Sequence, residues 1–265
     1  MPAVAILHLK QLSLFSMITR LPENILNRIG RYFLTVSNER SKSWFLLVRD
    51  ICQLYLLPHP LSLLDSPPSK EKAKQLFRTY VTDYWQIKLR KDSAVLPSLR
   101  YFKPQYMSLS RPHPLYQTCG SNSYEFCKAL VQSRMISGRY RCDTLVRHFS
   151  PGSDGSCSMC TNGELGTIEH ILVLCVSLQE KRRQLMANLN TMSDIPKDIV
   201  QQVIDTGNTQ EIVQFLLDCT NHPRVICAVQ DQGSGILEDL FRFTRSWCYS
   251  IHKGRLKLLG RWIND

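Results

Sequence analysis

The sequence lacks an apolar run long enough to cross a membrane, for which about 18 uninterrupted apolar residues are needed. Even the apolar stretch at residues 48–64 is interrupted by charged residues and two prolines. The apolar run at residues 3–7 ends before His8 and is too short for a secretory signal. We therefore expect neither a membrane protein nor a secreted one. A mitochondrial presequence is an alternative, because the first acid is Glu23, but a core helix is the favoured interpretation.

Familiar catalytic motifs are missing as well. The chain contains no GxSxG nucleophile turn, no glycine-rich phosphate loop and no HExxH metalloprotease motif. It also has no internal repeat and no convincing stretch of alternating apolar and polar residues, the pattern typical of a β-strand. Apolar residues recur instead at helical spacing. These absences predict a mostly α-helical protein that is not an enzyme.

Composition narrows the class of protein further. Hydrophobic residues make up 43% of the 265 residues, which excludes a disordered tail. Lysine and arginine number 33 against 22 acidic residues, a net charge of +11, which favours a polyanionic partner such as nucleic acid or an anionic membrane surface. The 10 cysteines are too dilute for a small disulfide framework and indicate a reducing compartment, so we expect an intracellular protein, cytoplasmic or nuclear.

Helical spacing and punctuation predict two helical regions joined by a connector. Residues 1–93 form the first region, residues 94–120 a proline-rich, extended connector, and residues 121–265 the second region. Three helices are expected in the first 60 residues, the third over residues 40–56, followed by a long helix that Ser69 caps. In the second region the expected helices cover residues 123–136, 144–149, 167–189, 194–205, 209–219 and 236–252.

The one tight cysteine cluster predicts a zinc site. Cys157 and Cys160 lie in a glycine-rich turn, and His170 and Cys175 follow at the start of a helix that Thr167 can cap. Two thiolates from a turn and two donors from a helix are the usual components of a structural Cys3His zinc site. The spacing of five from His170 to Cys175 lets both face one metal only if the helix is just starting or is distorted there.

Two alternatives to the zinc site remain open. The cysteines can be a coincidental pair beside a core histidine, or a redox Cys-x-x-Cys motif, although such a motif normally opens a helix in a βαβ setting that is absent before Cys157. The acids Asp154, Glu164 and Glu169 are expected to be solvated rather than ligands, and His148 a packed or exposed helix residue. The seven other cysteines are expected to be free, and most of them buried.

Basic residues concentrate in two segments of the second region. The first carries Arg134, Arg139, Arg141 and Arg147 with Tyr140 among them, a combination that can grip phosphates and stack a base. The alternative is a solvated helix face with salt bridges. The C-terminal segment carries Arg255, Lys257 and Arg261 beside several aromatic residues. It predicts either a basic nucleic-acid-binding helix or, as the favoured interpretation, a last helix whose aromatics dock on the core.

The cysteine cluster and its surroundings resemble the zinc-knuckle segment near the C-terminus of the reverse-transcriptase polyproteins of LINE-type non-LTR retrotransposons. The resemblance is carried by LVQSRMISGRYRCDTLVRHFS before the cysteine pair and by IEHILVLC after it. Upstream, the helical region that follows the polymerase in these polyproteins is similar to LHLKQLSLFSMITRLP, KSWFLLVRDICQLYLLPHPLSLL and LPSLRYFKPQYMSLSRPHPL. Together these segments extend the resemblance over nearly the whole chain.

The resemblance implies that Cys157, Cys160, His170 and Cys175 bind one structural zinc ion. It also implies that the basic surface handles template RNA or target DNA, and that the reverse-transcriptase core of a related element is a candidate partner. The chain departs from the family because it contains no Asp-Asp pair, which the polymerase needs to hold its two metals, and no recognisable endonuclease motif. It therefore looks like a C-terminal fragment without the polymerase.

Two functions of different class follow from these observations. The first is a non-catalytic, zinc-stabilised module that binds RNA or single-stranded or target DNA. The second is a helical scaffold or protein-interaction relic of such a polyprotein, with no nucleic-acid binding of its own and an apolar exposed surface.

Overall fold

A computed structural model describes residues 2–21, 25–36, 42–102, 112–150 and 152–260. The fold is mostly α-helical, as the sequence predicts, and within these ranges the only β-type pairing is an isolated bridge between Ser156 and Leu165. The chain divides into two compact units. In the described ranges, unit 1 comprises residues up to 91, and unit 2 comprises residues 92–102 and everything from residue 112 onward.

Unit 1 contains five α-helices in its described part. They are α1 (Ala3–Thr19), α2 (Ile25–Val36), α3 (Trp44–Leu54), α4 (Pro60–Asp65) and α5 (Lys70–Val95). Their inner faces share one core that includes Leu12 and Phe15 of α1, Val48 of α3 and Phe77 of α5. The last residues of α5, from Asp92 on, are assigned to unit 2.

Helix α4 was not predicted from the sequence, in which Pro58 and Pro60 follow the end of the third expected helix. Pro60 instead occupies the first helical position, where its missing N–H costs no hydrogen bond. The His59 Nδ1 atom accepts a hydrogen bond from the Leu61 backbone N–H at 3.3 Å and caps the new helix.

Helix α5 begins where the sequence predicts. Ser69 caps it, with its carbonyl oxygen accepting from the Ala73 N–H at 2.8 Å. Its buried residues are Ala73, Phe77 and Val81, one residue per turn, so a single narrow stripe packs on the core.

Unit 2 is built around its last helix. Its α-helices are α6 (Pro114–Gln117), α7 (Ser123–Ile136), α8 (Asp143–Val146), α9 (Gln179–Ala187), α10 (Asp194–Asp205), α11 (Thr209–Leu217), α12 (Pro223–Gln232) and α13 (Gly235–Leu258). Helix α13 contacts α7 and each of the helices α9 to α12. Trp247 of α13 is buried and donates from its Nε1 to the Leu172 carbonyl oxygen at 3.3 Å, so this helix docks on the core, as favoured from the sequence.

The predicted connector is largely part of unit 2. Tyr101, Leu115 and Cys119 lie in the core of that unit, and the segment contains a short 3₁₀ turn at Pro97–Leu99 as well as α6. Burial of these apolar side chains holds the segment against α7 and α13, so it is an integral layer rather than an extended link. Residues 103–111, in the middle of the predicted connector, lie outside the described residues.

Two helix predictions in unit 2 require correction. The continuous helix expected over residues 167–189 is interrupted at Cys175, whose φ of −56° and ψ of 117° are not helical. Helix α12 was not predicted, although His222 and Pro223 form a typical helix start.

No helix in the described ranges combines the length and the apolar character needed to span a membrane.

Candidate metal centre and basic surface

Four side chains from two segments of unit 2 converge in one place. The Sγ atoms of Cys157, Cys160 and Cys175 and a ring nitrogen of His170 all lie within 4.8 Å of one another. The four residues predicted from the sequence as metal ligands are therefore brought together as a group that can hold a metal ion.

The first two donors are presented by a tight loop. Ser156 and Leu165 form the isolated bridge, and the Cys157 N–H donates to the Glu164 carbonyl oxygen at 2.7 Å. A second bond, from the Gly166 N–H to the Gly155 carbonyl oxygen at 2.9 Å, closes the base of the loop. These bonds fold residues 157–164 back on themselves, which turns Cys157 and Cys160 toward the same point.

The other two donors sit on a distorted helix. The Thr167 Oγ1 atom accepts from the His170 N–H at 3.2 Å and starts the helix, as predicted. Residues His170–Leu174 then form a π-helical segment, closed by a hydrogen bond of 2.6 Å from the Cys175 N–H to the His170 carbonyl oxygen. One π turn brings residues five apart onto the same face, which resolves the spacing that an α-helix cannot accommodate.

The donor atoms are close but not bonded. The Sγ atoms of Cys157 and Cys175 are 3.9 Å apart, far beyond the 2.05 Å or so of a disulfide, and the Cys160 Sγ lies 3.4 Å from the His170 Nε2. Cys157, His170 and Cys175 are buried, and Cys160 is partly buried. Burial, together with the neighbouring Cys157 and Cys160 thiols, raises the pKa of Cys175 to about 12.

Glu164 has a role that the sequence prediction missed. Its Oε2 lies 2.8 Å from the His170 Nδ1, so the carboxylate accepts a hydrogen bond from that ring nitrogen. The bond assigns the proton to Nδ1 and leaves Nε2, the atom beside Cys160, free to bind a metal. Glu164 was expected to be a solvated loop acid, and its side chain is indeed 55% exposed, but one oxygen is committed to the histidine.

The remaining polar residues near the cluster have other partners. Asp154 accepts hydrogen bonds from Ser156 at the start of the loop, and Glu169 binds the Tyr101 hydroxyl and Arg100. His148 is exposed. Of the seven other cysteines, Cys127 and Cys227 are exposed and the rest are buried, and none forms a disulfide.

The four exposed arginines Arg134, Arg139, Arg141 and Arg147 are called the basic surface here, and Arg147 is the one that contacts the cysteine loop. Within the described part of the chain none of them forms an ion pair with a carboxylate, which argues against the salt-bridged alternative. A Cβ atom on Gly155, at the base of the cysteine loop, would lie 3.2 Å from the Arg147 Cδ. The arginine stem therefore rests directly on the loop that carries the two cysteines.

Two residues predicted to bind nucleic acid are buried instead. Tyr140 is 5% exposed and its hydroxyl lies 3.0 Å from the His252 Nδ1, so it cannot stack on a base. Arg255, also 5% exposed, donates to the Arg141 carbonyl oxygen at 2.6 Å and to Asp143 at 3.2 Å. The tertiary packing of α13 removes both from the surface. Lys257 is exposed, and Arg261 lies outside the described residues.

Asp143 ties the two sites together. Its Oδ1 accepts from the Arg255 Nη2 and, at 2.9 Å, from the Ser158 hydroxyl inside the cysteine loop. The cysteine loop, the segment that carries Arg141 and helix α13 are thus joined through one carboxylate. We therefore expect that a disordered cysteine loop would also loosen the segment that carries Arg141.

Searches against protein-family models, curated proteins and solved structures find no match to this chain.

Proposed function

We propose that the chain is a zinc-stabilised, non-catalytic nucleic-acid-binding module, of the kind that the C-terminal region of LINE-type reverse-transcriptase polyproteins contains. The observation that carries the proposal is the contact of Arg147, one of the four exposed arginines, with the loop that carries Cys157 and Cys160. The metal orders the loop, and the loop contacts Arg147, which has no ion-pair partner in the described part of the chain.

Zinc is the metal that best suits the donors. A tetrahedral ion with bonds of about 2.3 Å to sulfur and 2.0 Å to nitrogen places two sulfurs about 3.8 Å apart and a sulfur and a nitrogen about 3.5 Å apart. The distances of 3.9 Å and 3.4 Å are close to these values. Three thiolates and one imidazole fill four coordination positions, so the site stabilises the fold and leaves no position for a substrate.

The nearby positive charges suit this ligand set. A zinc ion with three thiolates carries a net charge of −1. Arg182 donates to the Cys175 carbonyl oxygen at 2.6 Å and Arg147 lies on the cysteine loop, so both place positive charge near the thiolates. These cations lower the cost of holding charged sulfur in a buried site.

The zinc proposal is tested by elemental analysis of the purified chain and of the Cys157→Ser, Cys160→Ser double variant. We expect one zinc per wild-type chain and none in the variant, with a loss of thermal stability. The matched control is Cys127→Ser, Cys227→Ser, which removes two exposed thiols and should keep the zinc. The proposal would be refuted if the wild-type chain contained no zinc and a chelator left its thermal stability unchanged.

The basic surface supports nucleic-acid binding through phosphates rather than bases. Four guanidinium groups provide bidentate donors for phosphate, while the burial of Tyr140 removes the aromatic platform expected from the sequence. We therefore expect binding that depends strongly on salt and weakly on base sequence.

This binding is tested with a fluorescent single-stranded RNA at a series of salt concentrations. The Arg139→Gln, Arg141→Gln variant should lower affinity about tenfold at low salt and reduce the slope of log K against log salt by about 1.4, or 0.7 per lost contact. The matched control, Arg183→Gln, Arg242→Gln, removes the same charge from exposed helix positions that already pair with acids. Equal losses in both variants would show that only net charge matters and would remove this surface from the proposal.

A further inference from the structure

Unit 1 carries a groove between α1 and α5 that the proposed function does not use. The cavity measures about 870 Å³. Its apolar lining combines residues of both helices: Ile6, Leu9, Leu14, Met17, Ala73 and Phe77. Leu14 and Met17 remain about half exposed, so the groove presents open apolar surface rather than a filled core.

Every charged residue that lines this groove is positive. The five cations are Lys10, Arg20, Lys70, Lys74 and Arg78. None of them forms an ion pair within the described ranges, and no acid is among the described residues that line the cavity. Five such cations around one apolar groove create a positive potential that favours a negatively charged occupant.

Two polar atoms in the groove lack partners among the described residues even though they are buried. Ser16 is only 5% exposed and its hydroxyl has no hydrogen bond, and the Arg20 Nη1 is likewise unsatisfied. A buried polar group without a partner costs about 1–3 kcal/mol, so such groups ordinarily have one. Both residues line the groove, so its wall combines apolar side chains with polar groups whose hydrogen bonds are incomplete.

We propose that this groove binds an acidic amphipathic helix of a partner protein. The lining residues from Ile6 of α1 to Arg20, the residue that follows this helix, extend about 21 Å at 1.5 Å per residue, which matches about four turns of a bound helix. The apolar face of that helix covers Leu14 and Met17, and its flanking carboxylates meet the surrounding cations.

The shape and chemistry of the groove favour an acidic helix over two other negatively charged partners, a nucleic acid and an anionic membrane. A phosphate backbone leaves an aliphatic groove uncovered, and the only aromatic ring in the described lining, Phe77, is 3% exposed and cannot stack on a base. A concave surface does not insert into a flat bilayer, whereas a convex helix fits it.

The test uses the full chain and a designed fluorescent peptide of 14 residues. The peptide has leucines on one helical face and glutamates on the other, and a control peptide has every glutamate replaced by lysine. Anisotropy should show binding of the acidic peptide in the micromolar range and at least tenfold weaker binding of the basic one. No binding of the acidic peptide, or equal binding of both, would overturn the proposal.

Variants locate the binding site. The Lys10→Glu, Lys74→Glu variant should weaken peptide binding at least tenfold, whereas Lys72→Glu, an exposed residue of α5 outside the groove, should leave it unchanged. Likewise Leu14→Ser should weaken binding and Leu7→Ser, similarly exposed on α1 but outside the lining, should not. Equal effects of groove and control variants would place the site elsewhere and refute the assignment.

A final comparison separates this site from the nucleic-acid proposal. Excess single-stranded RNA should not displace the peptide, and Arg139→Gln, Arg141→Gln should bind the peptide as the wild type does. If RNA displaces the peptide, and Lys10→Glu, Lys74→Glu also weakens binding of the RNA itself, the groove is part of a nucleic-acid surface. That result would overturn the proposal of a protein partner.

Discussion

Glu164 shows how a single hydrogen bond prepares the metal centre. Its carboxylate holds the His170 Nδ1 at 2.8 Å and so fixes both the ring orientation and the tautomer that leaves Nε2 toward Cys160. Partners of this kind raise ligand basicity, and their loss typically costs 10–100-fold in metal affinity.

We predict that Glu164→Gln weakens zinc binding about 10-fold or more without changing helix content. The measurement is competition with a chromophoric chelator, with circular dichroism as the check on folding. Glu180→Gln, an exposed acid on α9, serves as the control and should bind zinc as the wild type does. Unchanged affinity in Glu164→Gln would mean that the loop alone orients the histidine.

Gly138 shapes the turn that places Arg139 and Arg141. Its φ is +66°, and a Cβ atom there would lie 2.5 Å from the Ser98 carbonyl oxygen. Gly120 has a similar φ of +56°, but a Cβ atom added there would meet no other described atom within 4 Å. The pair therefore separates backbone strain from steric overlap.

We predict that Gly138→Ala destabilises unit 2 by about 2–5 kcal/mol, the sum of left-handed strain and overpacking. Gly120→Ala should cost only the strain, about 1–2 kcal/mol. Urea unfolding followed by circular dichroism measures both. Equal costs would show that the Ser98 backbone moves aside easily.

At the scale of elements, the π-helical segment decides whether the cluster exists. In an α-helix, residues five apart point about 140° away from each other, so His170 and Cys175 would diverge. The spacing in the sequence therefore predicts a start or a distortion of the helix. It does not specify the π turn, because that turn depends on the packing of Ile171 and Leu172, both fully buried, against the rest of unit 2.

A buried arginine of α13 joins that helix to two other parts of unit 2, α7 and the end of α6. Arg245 of α13 is 1% exposed and binds Glu125 of α7 at 3.1 Å and the Thr118 hydroxyl at 2.6 Å. Burial opposes ionisation of Glu125, but hydrogen bonds and charge from Lys128 and Arg245 outweigh it and lower the pKa of the carboxyl. A folded-state pKa below the unfolded value stabilises the fold above the unfolded pKa, and this stabilisation is lost as pH falls.

We predict that Glu125→Gln is less stable than the wild type at neutral pH and that the difference shrinks as pH falls below about 4.3, the ordinary value for glutamate. Thermal unfolding of both proteins at a series of pH values measures this difference in stability. Acid also releases the metal, but it does so in both proteins, so the difference isolates the carboxylate. A difference that stays constant with pH would contradict the prediction.

At the scale of the whole molecule, the two units have separate cores, and the Cys3His cluster that can hold a metal ion lies entirely in unit 2. The Cys3His cluster connects the cysteine loop to the start of a helix whose Ile171 and Leu172 belong to the unit 2 core. Structural zinc contributes about 10 kcal/mol or more to the modules that it orders.

We predict that removal of the metal increases hydrogen exchange in unit 2 and leaves unit 1 protected. Exchange should rise most in peptides that cover residues 152–178, while peptides from α1, α3 and α5 keep their wild-type rates. Mass spectrometry with and without a strong chelator measures both. A uniform increase across the chain would show that the two cores unfold together.

Much of this architecture follows from the sequence alone. The mostly α-helical class, the bounds of α7 and α10, the cap at Ser69 and the four converging donors were all predicted, because helical periodicity, capping residues and ligand spacing are local properties of the chain. Identification of the metal, of the nucleic-acid partner and of the retrotransposon resemblance remains a prediction.

Tertiary structure alone decided which residues of each pattern are exposed. Tyr140 and Arg255 belong to basic, aromatic segments, yet packing of α13 against the turn after α7 buries both. Glu164 and Glu169 are both acids of the same segment, yet only Glu164 reaches the histidine. Sequence spacing records distance along the chain, whereas the burial of Tyr140 and Arg255 depends on partners more than a hundred positions away, which meet only once the helices have packed. The Glu164–His170 pair is close in sequence, but the folding of the cysteine loop decides that the two side chains meet.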